Sequence, residues 1–158
     1  MYKQVYIALG GNIGDTEQYF ALAKEQLQKY GLKILASSTT IKTKAYGYEQ
    51  QADFLNAVLL VETQLEPLQL LTLLKGIEKQ LGRVSTIRWG ERCIDLDIIF
   101  YDDIVCNLPQ LTIPHADLQN REFVLGPLLE LAPEKVHPVL QKTIKELYQQ
   151  LKGVKDDE

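Results

Sequence analysis

The run RWGERCIDLDIIFYDD, residues 88–103, reads as an apolar strand that carries two carboxylates, Asp95 and Asp97, and is preceded by two arginines and a tryptophan. Side chains alternate faces along a strand, so Ile94, Leu96, Ile98 and Phe100 are expected on one face and Asp95, Asp97, Ile99 and Tyr101 on the other. The carboxylates then have no need to enter a hydrophobic core. They stand about 7 Å apart at their Cα atoms, on the side of a sheet away from its helices.

The rest of the chain supplies the other layers. VYIALG (5–10) has strand character, and Asp15 with Gln18 three residues on is a capping pair for a helix to about Tyr30, stopped by Gly31. Residues 33–44 and DFLNAVLLVET (53–63) read as strands joined by the polar loop KAYGYEQQAD. Pro67 suits a first helical turn, and Leu68, Leu71, Leu74, Ile77 and Leu81 recur at helical spacing before Gly82. After a turn at Asp102 and Asp103 a short return strand is expected at 104–107, then an irregular stretch LPQLTIPHADLQNR, a short helix in EFVLGPLLELA and a last one in TIKELYQQLK. The order strand, helix, strand, strand, helix, strand predicts an α+β fold: a ferredoxin-like sandwich with a mainly antiparallel sheet, helices on one face and the active site on the other. A doubly wound parallel sheet is the competitor. One domain over 1–158, frayed from about 153, is expected, since 158 residues bury roughly two thirds of their unfolded surface.

Composition narrows the chemistry. The net charge of -4 gives no general attraction to nucleic acid or anionic lipid, so any anion site must be local. No apolar run approaches the roughly 18 residues of a membrane helix, and MYKQVYIALGG lacks the pattern of a secretory signal, so a cytoplasmic protein with neither nucleic-acid nor membrane partner is expected. Two cysteines, Cys93 and Cys106, without C-x-x-C spacing, argue against a disulfide scaffold or zinc site. Of 17 basic residues 13 are scattered lysines, whereas three of the four arginines, Arg83, Arg88 and Arg92, fall within ten residues and the fourth is Arg121.

Guanidinium groups fork onto phosphate oxygens, and paired carboxylates disfavour each other's ionised form unless a cation is present. Magnesium, which takes one or two carboxylates and fills its remaining positions with water and phosphate, meets that need. Ion pairing of Asp95 and Asp97 with Arg88 and Arg92 on a wet sheet surface is the plainer alternative. In the strand from 53, Leu55, Ala57, Leu59 and Val61 form the apolar face and leave Phe54 beside Asn56 opposite, an aromatic wall and an amide reader suited to a flat heterocycle or to ordinary packing. LGGNIGD matches no phosphate-loop pattern and reads as a turn. Ser37 and Ser38 lack a hydrolase context, and His137 reads as structural.

Together RWGERCIDLDII (88–99), LTIPHADLQNREF (111–123) and DFLNA (53–57) resemble the 6-hydroxymethyl-7,8-dihydropterin pyrophosphokinases of folate biosynthesis, from LGGNIGD (9–15) to GPLLELAPE (126–134). The resemblance implies a transferase that moves the pyrophosphoryl group of ATP to the pterin hydroxymethyl oxygen, giving AMP, on a ferredoxin-like fold. Asp95 and Asp97 would ligate two magnesium ions, with Arg83 and Arg92 holding phosphate oxygens at the reacting centre. Lys75, Glu78, Arg88, Ile98, Leu111, Thr112, His115 and Arg121 would complete the ATP site. For the pterin the resemblance implies stacking on Phe54 and Phe123, hydrogen bonds from Thr43 and Asn56, contacts from Tyr46, Gly47 and Asp95, and closure by Trp89. Loops around 44–52 and 83–92 would close over ATP. Ser85 stands where some members carry another arginine, Gly11 where serine is frequent, Phe54 where tyrosine is common and Ala116 where an aromatic can occur. The implied partners are ATP and the pterin alone, for a monomer, with a dimer as the other possibility. A nucleotide-binding regulatory module without turnover and a two-metal phosphoesterase are the alternative functions.

Overall fold

The computed structural model describes residues 1–11, 16–43, 54–81 and 94–153. Strand β1 (Lys3–Gly11) is followed by α1 (Thr16–Lys29), β2 (Lys33–Ser37), β3 (Ile41–Thr43), β4 (Phe54–Thr63) and α2 (Pro67–Leu81). Then come β5 (Asp95–Tyr101), the hairpin strands β6 (Cys106–Leu108) and β7 (Leu111–Ile113), a 3-10 turn at Leu118–Asn120, α3 (Glu122–Leu131) and α4 (Ile144–Leu151). The five-stranded sheet runs β2–β4–β1–β5 with β3 also on β4, and every pairing is antiparallel. Among the described residues no helix is long and apolar enough to cross a membrane.

Local chemistry accounts for the boundaries. Gly31 ends α1 at φ 92°, a left-handed conformation that glycine adopts without a Cβ clash. Helix α4 opens on a capping box, in which the Glu146 amide donates to Thr143 Oγ1 at 3.1 Å and the Thr143 amide to Glu146 Oε1 at 2.8 Å. Asp15, expected to cap α1, lies outside the described residues, as does Gly82. The expected strand 33–44 is two strands: Ser38 leaves the ladder, its amide donating to the Val58 carbonyl while its Oγ accepts from the Val58 amide, each at 2.9 Å. Pro109 and Gln110, inside the stretch expected to be irregular, make the two-residue link between β6 and β7.

The sheet is apolar on both faces. On the first, Val5, Ile7, Leu9, Leu59, Val61, Leu96 and Ile98 pack with Phe20, Ala23 and Leu27 of α1 and Leu70, Leu74 and Ile77 of α2. On the second, Tyr6, Val58, Ile99 and Phe100 pack with Val124, Leu125 and Leu128 of α3 and Ile144 and Leu147 of α4. The expectation of helices on one face is therefore corrected: the apolar C-terminal helices cover one end of the second face as well.

Two further expectations change for local reasons. The pairing of β1 with β5 shifts register between Tyr6 and Ile7, so Ile99 is an extra residue on β5 with no partner in the register. A bulge of this kind resets the alternation. Ile99 and Phe100 both lie in the second core, and Tyr101 returns to the first, where its hydroxyl donates to the Leu65 carbonyl. Phe100 sits edge-on to Tyr6 and His137, at centroid distances of 6.1 and 5.7 Å, with Lys135 Nζ 5.0 Å from its own centroid. In α2 Leu74 and Ile77 are buried and Leu71 and Leu81 pack partly buried against the first core, as expected, while Leu70 is buried in place of Leu68, which is 40% exposed.

The difference between Leu70 and Leu68 is measurable. Leu70→Ala should cost about 2–5 kcal/mol in denaturant unfolding, as cavity-forming changes do, while Leu68→Ala should stay within about 0.5 kcal/mol. Equal losses would contradict the observed face of α2.

Candidate active site

The open end of the second face is built by three neighbouring strands. Gly10 of β1 lies directly opposite Asn56 of β4 and directly opposite Asp95 of β5, so these three positions form one row across the sheet. Directly paired residues project to the same side. One row on, Ala8 pairs with Val58 and with Asp97. Glycine and alanine at the centre leave a shallow floor between an amide and two carboxylates. A Cβ at Gly10 would lie 3.1 Å from Asn56 Oδ1, tighter than ordinary van der Waals contact.

Asn56 is 8% exposed, and its Nδ2 donates to Thr43 Oγ1 at 3.1 Å, which fixes the orientation of the amide. Thr43 is paired in turn with Phe54, the partly buried residue two positions before Asn56 on the same face. The sequence expectation of Phe54 beside Asn56, opposite Leu55, Ala57, Leu59 and Val61, agrees with the two cores.

Asp95 and Asp97 are both half-buried, and the buried Leu96 between them turns into the first core. On the outer edge of β5 the Leu96 amide donates to Glu78 Oε2 of α2 at 2.6 Å. Lys75 Nζ lies 3.7 Å from Glu78 Oε1. Burial pushes the Glu78 carboxyl above its ordinary range and the charges of Asp95 and Asp97 add to this, against the Leu96 amide and Lys75, which hold it down.

The same edge receives the segment after β7. The His115 amide donates to the Ile99 carbonyl at 3.0 Å, and the Asp117 amide donates to His115 Nδ1 at 3.3 Å. With Nδ1 accepting, the neutral imidazole carries its proton on Nε2. Burial lowers the His115 pKa, as does Arg121, while Asp97 and Asp117 oppose the shift. Arg121 reaches Asp117 at 3.9 Å and lies over Phe123, its Cζ 5.7 Å from the ring centroid. Phe123 packs partly buried on the second core at the start of α3.

The site residues expected from sequence fall into three groups. Thr43, Asn56, Asp95 and Asp97 share the second face with Phe54, Phe123 packs on that face from α3, His115 and Arg121 border it through the contacts above, and Glu78 with Lys75 of α2 reaches the outer edge of β5 from the first face. Ile98 and Leu111 turn their side chains into the first core, and Thr112 is exposed on β7. The alternation that points the Leu96 amide outward also points the backbone N–H and C=O of Ile98 to the sheet edge. Arg83, Ser85, Arg88, Trp89, Arg92, Tyr46 and Gly47 lie outside the described residues. Gly10 was missed: its signal in the sequence was a glycine within a strand, a mark of close approach by another group.

The donor set suits a hard cation. Among the described residues no three His, Cys, Asp or Glu side chains gather to hold a metal. Two carboxylates without a protein cage are the arrangement magnesium uses when substrate oxygens and water complete its shell.

A family model described as 7,8-dihydro-6-hydroxymethylpterin-pyrophosphokinase (HPPK) matches residues 6–133. The chain is 43% identical over 142 residues to the 2-amino-4-hydroxy-6-hydroxymethyldihydropteridine pyrophosphokinase of Aquifex aeolicus, covering 90% of this chain and 88% of that one. It is also 43% identical over 150 residues to the folic acid synthesis protein fol1 of Schizosaccharomyces pombe, covering 94% of this chain but 20% of that longer one. A crystal structure of Plasmodium falciparum HPPK-DHPS shares the fold, with a TM-score of 0.78 at 20% identity over 95% of this chain and 45% of that one. The chain belongs to the 7,8-dihydro-6-hydroxymethylpterin-pyrophosphokinase family and is a pyrophosphokinase enzyme of folate biosynthesis.

Proposed function

We propose that the chain catalyses magnesium-dependent transfer of the pyrophosphoryl group of ATP to the hydroxymethyl oxygen of 6-hydroxymethyl-7,8-dihydropterin. The observation that carries this reading is the row Asn56, Gly10, Asp95, with Asp97 one row further on the same face. Two interstrand spacings give a floor about 10 Å wide, room for a fused bicyclic ring lying over glycine. The oriented Asn56 amide and Thr43 would read the ring's polar edge with the Tyr46–Gly47 backbone, and Phe54 and Phe123 would stack on its faces.

The hydroxymethyl oxygen bonds to the β-phosphorus as the bond from that phosphorus to the α,β-bridging oxygen breaks; the bridging oxygen leaves with AMP, and the hydroxyl proton passes to solvent. Asp95 and Asp97 would hold magnesium, two ions in this reading, which would supply positive charge to the triphosphate and the attacking oxygen. The protein's part is placement and electrostatics. His115 Nε2–H donates to a phosphate oxygen, because Nδ1 is already engaged by the Asp117 amide. Arg83, Arg88, Arg92 and Arg121 hold phosphate oxygens, and Trp89 closes over the reactants and helps exclude water. Lys75, Leu111, Thr112 and the outward backbone of Ile98 border the nucleotide. The strand order supports a ferredoxin-like sheet, and we take the chain as one cytoplasmic domain acting as a monomer.

Product analysis separates this reaction from its rivals. Purified protein with ATP, magnesium and the hydroxymethyl dihydropterin should give AMP and the pterin diphosphate, and no AMP without the pterin. A regulatory module would bind ATP and release no AMP, whereas a two-metal phosphoesterase would hydrolyse without the pterin; either result overturns the proposal.

Asp97→Ala should lower kcat about 10²–10³-fold, the scale on which electrostatic stabilisers act, with a small change in melting temperature, since the side chain faces the site. Gly10→Ala should raise the pterin Kd roughly tenfold, about 1.4 kcal/mol, with ATP binding little altered, because the added methyl displaces Asn56. An unfolded Asp97→Ala protein, or unchanged pterin affinity in Gly10→Ala, would contradict the respective placements.

A further inference from the structure

Glu78 stands out because its geometry suits neither a metal ligand nor a free nucleotide contact. It lies on α2, against the first face, whereas Asp95 and Asp97 project from the second. Its side chain is 18% exposed, and both oxygens are committed within the protein, Oε2 to the Leu96 amide at 2.6 Å and Oε1 facing Lys75 at 3.7 Å. It completes no three-residue cluster with the aspartates among the described residues. The residue it grips is the one between them. Leu74 and Ile77 anchor α2 in the core, so the Glu78 carboxylate is a fixed point to which the edge of β5 is tied.

We propose that Glu78 is a positioning residue, which holds the Leu96 amide and so sets the spacing and direction of Asp95 and Asp97 toward a shared cation. An edge strand tied only on its inner side can twist away from the sheet, and a twist at Leu96 turns both neighbouring side chains. Lys75 Nζ, 3.7 Å from Glu78 Oε1, holds the second oxygen of the carboxylate while the first accepts from the Leu96 amide. This inference rests on the reading that the two aspartates hold magnesium.

The test compares wild type with Glu78→Ala and Glu78→Gln. Glutamine keeps an oxygen that accepts from the Leu96 amide, while alanine removes it. Glu78→Ala should raise the magnesium concentration for half-maximal turnover about tenfold or more, the usual effect of losing a residue that orients metal ligands, and leave the pterin Kd within about twofold. Glu78→Gln should recover most of that loss. If Glu78→Gln is as impaired as Glu78→Ala, the negative charge itself acts on metal or nucleotide and positioning is overturned; an Ala variant matching wild type overturns it too. Amide hydrogen exchange of the unliganded proteins reads the tether without turnover. Leu96 should exchange faster in Glu78→Ala and be protected again in Glu78→Gln. Altered exchange with no pterin-dependent AMP from wild type would fault the assigned reaction and leave the tether standing, whereas unchanged exchange would remove the tether. Should the Ala variant fail to fold, Glu78→Gln decides alone: wild-type exchange at Leu96 with near-wild-type magnesium dependence supports the proposal, and loss of either overturns it.

Discussion

Strand β1 is hydrogen-bonded on both sides, and the candidate site follows from what it lacks. Its pairing with β4 and β5 places Asn56 and Asp95 two strand spacings apart, and at that level β1 contributes only a hydrogen atom from Gly10. A residue with a side chain there would fill the floor and press on Asn56. Because β1 is central and both neighbours are antiparallel to it, the register is fixed along its length, and a slip of one residue would send the aspartates into the helical layer. The same strand thus supplies the first core through Val5, Ile7 and Leu9 and the site through Ala8 and Gly10.

The second face is shared between two demands that conflict in chemistry. Around Phe100 it is a dry core, closed by α3, α4, His137 and the Lys135 stem; around Gly10 it is polar and partly open. The bulge at Ile99 divides the two regions. It adds one residue to β5, so Ile99 and Phe100 both serve the second core while Asp97 and Asp95 keep the register of the site. Without the extra residue Phe100 would fall on the first face with Leu96 and Ile98, and the C-terminal helices would lose their main aromatic contact.

This explains where sequence reading succeeded and where it stopped. Period-two alternation placed Asp95, Asp97, Phe54 and Asn56 together because all four lie in regular ladder on one side of the bulge. It misplaced Phe100 and Tyr101, because a bulge leaves no mark in composition: Ile99 reads like any strand residue. Helical periodicity in α2 was ambiguous, since leucines occupy enough positions to draw two stripes, and only packing chose Leu70 over Leu68. The second helical layer was not foreseen. A helix such as α3, apolar on most sides, does not state which surface it covers. The tautomer of His115 and the grip of Glu78 on Leu96 depend on backbone amides, and no side-chain pattern reports where those point.

The outer edge of β5 shows how a structural liability is turned to use. An edge strand presents unpaired amides and carbonyls that invite association with another chain. Here the Leu96 amide is taken by Glu78 and the Ile99 carbonyl by the His115 amide, so groups on either side of Ile98 are engaged by the protein's own elements. A full partner strand would satisfy every outward group of the edge. Among the described residues, two contacts from α2 and from the segment after β7 instead engage it at single points and leave the Ile98 backbone outward between them. The edge is thus blunted by isolated side-chain and backbone contacts, with no further strand added to the sheet.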